Sequence, residues 1–208
     1  LKYAEVALLD TDHKKTNNAE KKISVASFNE AAKAWDWNPD GVIVALPNHL
    51  HVEYASHAIV NGVKTILIEK PVSHSLSGIQ DMIELASQRK AEVFVVTNMR
   101  FHPAVAILKN NLEQIGSPLF ARAHYGNYLP NMRPDADYRQ LYASNRDQGG
   151  GVILDAVHEI DYLSWLFGRG SEVIANAGKL SDLDINVEDF ASIIELLKHD
   201  KKNEHGNI

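Results

Sequence analysis

The stretch Val63-Lys64-Thr65-Ile66-Leu67-Ile68-Glu69-Lys70-Pro71 carries most of the information about the fold. Its first six residues are mostly apolar, as in a strand that is covered on both faces of a sheet, and charged residues follow at once. A second such run, Gly41-Val42-Ile43-Val44-Ala45-Leu46, leads into the polar segment Pro47-Asn48-His49-Leu50-His51. In an open α/β sheet, ligands bind at the carboxyl ends of the strands. Both polar segments are therefore predicted to lie where a ligand would bind.

Short apolar runs alternate with helical patterns from residue 4 to about residue 97. The predicted strands span residues 4–9, 22–26, 41–46, 63–68 and 92–97. The predicted helices lie near residues 27–35, 50–61 and 76–90. Ser27 with Glu30 would open the first helix as a capping box, Gly62 would end the second, and Ser75 would cap the third. This alternation predicts an α/β fold with a parallel sheet and helices on both faces.

The pattern changes after Asn98. We predict a helix from Pro103 to Ile115 that stops at Gly116, and then a long strand from Pro118 to Tyr128. After a polar loop through residue 148, the sequence predicts a helix at about 150–167 that ends at Gly168, and strands at 172–180 and 187–197. Consecutive strands favour an antiparallel sheet. The sequence therefore predicts two domains, residues 1–98 and residues 99–208.

The composition limits the possible functions. The 208 residues include 27 acidic and 21 basic side chains, a mild excess that gives no reason to expect nucleic-acid binding. The sequence has no cysteine, which excludes disulfides and thiolate chemistry within it. No apolar run approaches the ~20 residues of a membrane span, and the N-terminus has no signal-peptide pattern. A cytoplasmic location without membrane or nucleic-acid partners is therefore expected.

Both ends of the sequence suggest a piece of a longer protein. The first residue is Leu1 rather than methionine, residues 4–9 already have a strand pattern, and Ile208 closely follows a turn-like stretch. No Gly-x-Gly-x-x-Gly phosphate-binding loop occurs. If the fold binds a dinucleotide, we expect that a first strand with its glycine-rich loop is missing, and that the chain is truncated at both ends. A naturally short protein is the alternative.

Asp10 follows the first predicted strand. At this position in a dinucleotide-binding fold, a carboxylate accepts hydrogen bonds from the adenosine ribose hydroxyls and repels a 2′-phosphate, which predicts NAD rather than NADP. Asp10-Thr11-Asp12 is also a good turn sequence. The residues alone leave these two interpretations even.

The segment from Pro47 to His51 also allows two interpretations. Amides at a helix start and short polar side chains could line a cofactor crevice. Alternatively, Asn48 is a helix N-cap and the two histidines lie in solvent. A metal site is disfavoured, because His49 and His51 are two residues apart and do not share a helix face.

Glu69-Lys70-Pro71 offers more specific chemistry. Proline permits a cis peptide, which would fix the direction of Lys70. A lysine in a partly desolvated cleft can exchange protons near neutral pH. Glu69 could bind a cofactor or orient the lysine. Taken alone, however, a strand that ends in charged residues at its solvent end is the more common explanation.

Gly149-Gly150-Gly151 precedes a predicted helix with Asp155, His158 and Asp161 at intervals of three. On one helix, Asp155 and His158 would be neighbours, so that the carboxylate could orient the imidazole as a base. The glycines would let the backbone approach a ligand closely. Acidic residues are also favoured near a helix N-terminus by electrostatics alone. A metal site formed by the three side chains is a weaker alternative.

Other polar residues could contact a substrate. Arg133 and Arg139, with Tyr138 beside the latter, could bind phosphate or carboxylate, although surface arginines also serve solubility. Arg100, at the predicted domain junction, is either a substrate contact or a partner in a salt bridge between domains.

In this order and at these intervals, the motifs resemble the Gfo/Idh/MocA family of NAD(P)-dependent oxidoreductases. Three family motifs have counterparts: Glu-Lys-Pro at Glu69, Lys70 and Pro71; Pro-Asn-x-x-His at Pro47, Asn48 and His51; and Asp-x-x-x-His, one residue shorter here, at Asp155 and His158. The shorter form resembles a subgroup associated with sugars and nucleotide sugars.

The resemblance implies a Rossmann-like doubly wound parallel sheet followed by an α+β domain with a mostly antiparallel sheet. It implies hydride transfer between a nicotinamide cofactor and a hydroxyl-bearing carbon of a sugar or nucleotide sugar, with Lys70, His158 and Asp155 as catalytic residues. The implied cofactor-binding residues are Asp10, Pro47, Asn48, His51, Glu69 and Lys70. The implied substrate-binding residues are Arg100, Tyr138, Arg139 and Asp155.

The resemblance also implies a homo-oligomer that forms through the C-terminal sheet. Two alternatives remain. One is a regulator that binds the dinucleotide without chemistry, which the presence of both Lys70 and His158 argues against. The other is an inactive, truncated chain that only pairs with other subunits.

Overall fold

The computed structural model describes residues 4–197, which form two compact units. Unit 1 consists of the residues up to 45 together with 52–68 and 77–94. Unit 2 consists of residues 46–51, 69–76 and those from 95 onwards. Two short segments that follow strands of the first half of the chain thus belong to unit 2. The predicted domain boundary near residue 98 stays a prediction.

Strand and helix alternate throughout the first half of the chain. The strands are β1 (Ala7–Leu9), β2 (Ala26–Phe28), β3 (Gly41–Val44), β4 (Thr65–Ile68) and β5 (Glu92–Val95). The helices are α1 (His13–Ile23), α2 (Ala31–Asp36), α3 (His51–Val60) and α4 (Ile79–Arg89). The pairs β1-β2 and β3-β4 are parallel, and β4 is also bonded to β5. The predicted α/β class with a Rossmann-like parallel sheet is confirmed.

The core of unit 1 explains the apolar run that predicted the fold. Ile66 and Ile68 in β4 have no exposed surface, and neither do Ala55, Ala58 and Ile59 in α3. Gly62 ends the turn after α3 with φ +92°, a conformation that favours glycine. The predicted stop at Gly62 is therefore confirmed.

The prediction missed a helix at residues 13–23 and placed the next strand and helix a few residues too early. Residues 13–23 form α1. Asp12 is its N-cap, because its carboxylate accepts a hydrogen bond from the main-chain N–H of Lys14 at 2.8 Å. The following strand covers 26–28, so Ser27 lies in β2, where its hydroxyl donates to Glu20 instead of capping a helix. Ser75 caps no helix either, because α4 begins after Gly78.

The second half of the chain contains the helices α5 (Pro103–Asn111), α6 (Leu129–Met132), α7 (Val152–Asp155) and α8 (Val157–Phe167). It also contains the strands β6 (Glu172–Gly178) and β7 (Phe190–Leu196), which pair antiparallel along their whole length. The predicted antiparallel strands are confirmed. A 3₁₀ turn at 112–115 continues α5 as far as Gly116, so the predicted helix end is confirmed as well.

Two predictions for the second half were wrong. Residues 118–128 form no strand, although their pattern alternates, and Leu119 and Phe120 are almost fully exposed. An alternating segment becomes a strand only where another strand satisfies its N–H and C=O groups, and none does so within residues 4–197. The helix predicted at 150–167 is interrupted at Ala156, which separates α7 from α8.

The described part of the chain has no helix that is both long enough and apolar enough to cross a membrane.

Asp189 organises the loop that joins β6 to β7. Its carboxylate accepts hydrogen bonds from the main-chain N–H groups of Leu180, at 2.7 Å, and Ser181, at 3.1 Å, and from the Ser181 hydroxyl. Burial by itself would raise the pKa of Asp189, but these hydrogen bonds to the charged form outweigh it and lower the pKa below its usual value. The ionised carboxylate therefore stabilises the folded state above the unfolded pKa of about 3.9, and this stabilisation is lost as pH falls through the folded pKa.

Replacing Asp189 by asparagine is expected to lower the free energy of unfolding by about 0.5–1.5 kcal/mol at pH 7, because a neutral amide accepts fewer of these hydrogen bonds. The difference should shrink when the pH is lowered to about 3, since the unfolded wild-type chain, with its pKa of about 3.9, then takes up a proton at Asp189 more readily than the folded protein does. Urea unfolding at both pH values measures it, with Asp182→Asn, an exposed aspartate in the same loop, as the control. A loss of stability that is the same at both pH values would contradict this account.

Candidate active site

Lys70 lies directly after β4, and its ammonium group reaches Asp155 at the end of α7. The Nζ atom donates to the main-chain oxygen of Asp155 at 2.7 Å and lies 3.7 Å from the carboxylate Oδ1. The two side chains are 19% and 17% exposed, so water screens this pair less than a pair on the open surface. The Lys70–Pro71 peptide is cis, as its proline permits. Lys70 and Asp155, which the sequence singled out separately, thus lie together in unit 2.

Tyr142 is part of the same cluster, although no sequence pattern had indicated it. Its hydroxyl donates to Oδ1 of Asp155 at 2.8 Å. Burial raises the pKa of Tyr142 above its ordinary value, and the negative charge and hydrogen bond of Asp155 raise it further. The hydroxyl therefore keeps its proton at neutral pH and remains a donor. We use the term Lys70–Asp155–Tyr142 cluster for these three side chains.

Two further charges act on this cluster. Arg133 partly opposes the rise in the pKa of Tyr142, whereas Glu69 adds to it, so both lie within electrostatic reach of the hydroxyl. Glu69 also accepts a hydrogen bond from the main-chain N–H of Lys70 at 3.2 Å. Of the two arginines that the sequence offered as anion contacts, Arg133 is therefore the one whose charge acts on Tyr142.

His158 is not oriented by Asp155. The two residues lie on different helices, because Ala156, with φ −92° and ψ 25°, interrupts the helix between them. The carboxylate of Asp155 bonds to Tyr142 instead, and among residues 4–197 it makes no hydrogen bond to His158. The half-buried His158 begins the first turn of α8 just after Val157. Its catalytic role stays a prediction.

His51 connects the two segments that follow β3 and β4. It has no exposed surface, and its Nδ1 lies 2.7 Å from the carbonyl oxygen of Pro71 while its Nε2 lies 2.7 Å from that of Leu46. The alternative that both histidines lie in solvent was therefore wrong for His51. Both ring nitrogens already have partners, so a contribution of His51 to cofactor binding, which stays a prediction, would act through the position of these segments.

Asn48 does not cap a helix with its side chain. Pro47 precedes a 3₁₀ turn at 48–50 that leads into α3, and Asn48 lies inside this turn. The nearly buried Asn48 amide donates to the main-chain oxygen of Gly149 at 2.6 Å. Its neighbour His49 has a buried Nδ1 without a partner in the described part of the chain. The roles of Pro47 and Asn48 in cofactor binding stay predictions.

The glycines at 149–151 make room for the protein's own atoms. A Cβ atom on Gly150 would overlap the main-chain oxygen of Tyr142 and lie 2.6 Å from that of Ala143. A Cβ on Gly149, which has φ +79°, would lie 2.6 Å from the Cβ of His74 and 2.7 Å from that of Asn48. Another part of unit 2 therefore approaches this backbone closely, and the predicted approach of a ligand stays a prediction.

Arg100 forms a salt bridge within unit 2. Its Nε donates to Oδ2 of Asp161 at 2.9 Å and its Nη2 to Oδ1 at 2.5 Å, and the hydrogen bond to Asp161 raises the pKa of Arg100. The guanidinium also lies 5.7 Å from the ring centre of Trp165, and both residues line a cavity of about 320 Å³ together with Arg169. Substrate binding by Arg100 stays a prediction.

Tyr138 and Arg139 make local contacts. Arg139 binds the carboxylate of Asp137 through Nε at 2.9 Å and Nη2 at 2.7 Å, and these hydrogen bonds lower the pKa of Asp137. The Tyr138 hydroxyl accepts a hydrogen bond from the main-chain N–H of Asp184 at 3.1 Å. Within residues 4–197, no hydrogen bond or ion pair connects either side chain to the Lys70–Asp155–Tyr142 cluster. Their roles in substrate binding stay predictions.

Asp10, in unit 1, follows β1 and begins a turn. Its Oδ1 accepts a hydrogen bond from the main-chain N–H of Asp12 at 2.8 Å, and its Oδ2 lies 3.4 Å from Nζ of Lys15. The turn interpretation is therefore confirmed. The side chain is still 28% exposed at the carboxyl end of a parallel strand, so a carboxylate is available there to a ligand.

Within the described residues, no three His, Asp or Glu side chains are arranged to hold a metal ion.

Two family models match the chain. The first is described as an oxidoreductase family with an NAD-binding Rossmann fold and matches residues 2–97. The second is the GFO/IDH/MocA C-terminal domain and matches residues 107–200.

Similar proteins include sugar-related enzymes. An uncharacterized oxidoreductase of Synechocystis is 30% identical over 75% of this chain and 44% of the relative. Levoglucosan dehydrogenase of Pseudarthrobacter phenanthrenivorans is 33% identical over 64% of this chain and 34% of the relative. The chain thus spans less than half the length of these two curated relatives. Among solved structures, a similar one is the WlbA dehydrogenase of Bordetella pertussis in complex with NADH and UDP-GlcNAcA. The match has a TM-score of 0.76 and 22% sequence identity, and it covers 90% of this chain and 57% of that chain. This likeness shows a shared fold.

Proposed function

Because the chain belongs to the Gfo/Idh/MocA oxidoreductase family, we propose that the protein transfers a hydride between NAD and a hydroxyl-bearing carbon of a sugar or nucleotide sugar. The observation that carries this proposal is the contact of the Lys70 ammonium with Asp155, in a position where less than a fifth of either side chain is exposed. The name of the related levoglucosan dehydrogenase supports a sugar as the substrate. A homo-oligomer and a cytoplasmic location stay predictions.

NAD fits the residues of unit 1. Asp10 offers a partly exposed acceptor at the carboxyl end of β1, and this is the position from which a carboxylate binds the ribose hydroxyls. When bound, the nicotinamide would accept the hydride during oxidation or supply it during reduction. The chain's own residues would provide the remaining chemistry, which is the binding of the sugar and the movement of its hydroxyl proton.

Lys70 can form a hydrogen bond with the sugar oxygen that loses or gains the proton. An ammonium group has three N–H donors, and the two nearby acceptors of Lys70 are the main-chain oxygen and Oδ1 of Asp155. A third N–H remains for a substrate oxygen. We infer one of two arrangements as the hydride leaves. Either His158 takes the hydroxyl proton and the Lys70 ammonium donates a hydrogen bond to the developing alkoxide, or Lys70 takes the proton as a neutral amine and a ring N–H of His158 is the donor.

A panel of sugars and nucleotide sugars with NAD tests the proposal, with NADH absorbance as the readout of turnover. A parallel titration with NADH follows the fluorescence of Trp35, Trp37 and Trp165. Saturable NADH binding together with oxidation of at least one panel member is the expected result. NADH binding without any turnover would favour a dinucleotide-binding regulator. The absence of both binding and turnover would refute the proposed activity.

Replacing Asp10 by alanine is expected to weaken NAD binding by about 10- to 100-fold, because hydrogen bonds to a charged acceptor are lost. Binding of NADP should change much less, since the wild-type carboxylate repels its 2′-phosphate. Fluorescence titration of both cofactors measures this change, with Glu5→Gln, an exposed carboxylate just before β1, as the control. Equal NAD affinity in wild type and Asp10→Ala would show that the carboxylate serves only the turn.

A further inference from the structure

Asp155 is held by side chains rather than by a continuous helix. It is the last residue of α7, and Ala156, which follows it, leaves the helical conformation with φ −92° and ψ 25°. Lys70 donates to the main-chain oxygen of Asp155, and the Tyr142 hydroxyl donates to its carboxylate Oδ1. The direction of the carboxylate therefore depends on what bonds to Oδ1. Tyr142 is the only hydroxyl that does so among residues 4–197.

We propose that Tyr142 is a positioning residue, which holds the Asp155 carboxylate so that Lys70 keeps its place and Oδ2 stays available to a hydroxyl group of the sugar. The part that concerns the sugar rests on the function proposed above. Oδ2 has no hydrogen-bond partner in the described part of the chain, and a carboxylate oxygen is a strong acceptor for sugar hydroxyls.

The chemistry of Tyr142 suits this role. Because burial and the charge of Asp155 both disfavour the phenolate, the hydroxyl stays a donor over the pH range in which a dehydrogenase works. A tyrosine ring also has few rotatable bonds, so little conformational entropy is lost when it holds one geometry. The main chain of Tyr142 is fixed too, since the N–H of Asn145 donates to its carbonyl oxygen at 2.9 Å.

The first test compares Tyr142→Phe with a matched control, Tyr162→Phe. Tyr162 is a half-buried tyrosine on α8 whose pKa is also raised by burial, but its hydroxyl bonds to no carboxylate within residues 4–197. With the best sugar of the panel, Tyr142→Phe is expected to lower kcat about 10- to 100-fold, because a hydrogen bond to a charged acceptor is lost. The Kd for NADH should stay within about twofold of the wild-type value.

The comparison of kcat with KM separates positioning from simple damage. Tyr142→Phe removes the hydroxyl that donates to Oδ1 of Asp155, so kcat should fall by a larger factor than KM for the sugar changes. Tyr162→Phe should change neither constant. If Tyr142→Phe keeps the wild-type kcat, the proposal is overturned.

A double-mutant cycle tests the contact independently of activity. Tyr142→Phe, Asp155→Asn and the double variant are unfolded in urea, and the two substitutions are expected to be coupled by about fivefold or more in the unfolding equilibrium constant. Additive effects would overturn the proposal, whether or not a sugar substrate is found. If coupling is present but no sugar is turned over, the proposed function fails while the positioning of Asp155 by Tyr142 is supported.

Discussion

Replacing Lys70 by methionine is expected to lower kcat for sugar oxidation by about 10²–10⁴-fold, which is the contribution of a group that moves a proton in the transition state. Methionine keeps most of the apolar stem but removes the ammonium that contacts the main-chain oxygen and carboxylate of Asp155. The remaining charge of Asp155 would then face the developing alkoxide without a compensating cation. Both effects raise the barrier to hydride transfer rather than weaken the binding of the sugar in the ground state.

Steady-state kinetics with the best sugar of the panel measures this effect, and Lys64→Met is a matched control. Lys64 precedes β4 at its other end, and its ammonium donates to the main-chain oxygen of Arg89 within unit 1. His158→Ala is measured in parallel, with a loss in the same range expected if the imidazole takes part in the proton transfer. Near-normal turnover of both Lys70→Met and His158→Ala would show that neither residue moves the proton.

The parts of the fold that could be predicted have local causes. The apolar runs of β3 and β4 and the left-handed turn at Gly62 are encoded within a few neighbouring residues. Helix α1 was missed because its sequence is mostly polar, and it depends on the Asp12 cap and on Ser24 in a left-handed conformation. The segment 118–128 was assigned as a strand from its alternation, but pairing depends on distant parts of the chain.

The candidate site shows the same limit. The sequence singled out Lys70 and Asp155, but their contact joins residues 85 positions apart, which no local pattern reveals. Tyr142 was missed because a tyrosine in a polar loop has no periodic signal, although its position shortly before the glycines was visible. The spacing of Asp155 and His158 predicted that the two side chains are neighbours on one helix. That prediction was wrong, because Ala156 separates α7 from α8.

Replacing Gly150 by alanine is expected to lower the free energy of unfolding by about 3 kcal/mol or more. The added Cβ would overlap the carbonyl oxygen of Tyr142 and lie 2.6 Å from that of Ala143, and neither atom belongs to a side chain that could rotate away. The main chain cannot separate easily, because the N–H of Gly150 donates to Asn145 and the N–H of Gly151 donates to Ala143. Inserting an extra carbon into a well-packed site typically lowers the free energy of unfolding by about 1–3 kcal/mol. Because the clash here is with main-chain atoms, we expect a loss at or above the upper end of that range.

Urea unfolding of Gly150→Ala and of a control, Gly178→Ala, measures this cost. Gly178 lies in β6 of the same unit, and a Cβ atom there would meet nothing within 4 Å, so its substitution should leave stability nearly unchanged. Because the displaced carbonyl belongs to Tyr142, Gly150→Ala should also lower kcat at temperatures where the variant is still folded. A stable Gly150→Ala variant with wild-type kcat would show that the glycine loop can yield without disturbing Tyr142. A loss of kcat that accompanies the loss of stability would show that the packing of the glycines and the geometry of Asp155 depend on the same short segment of main chain.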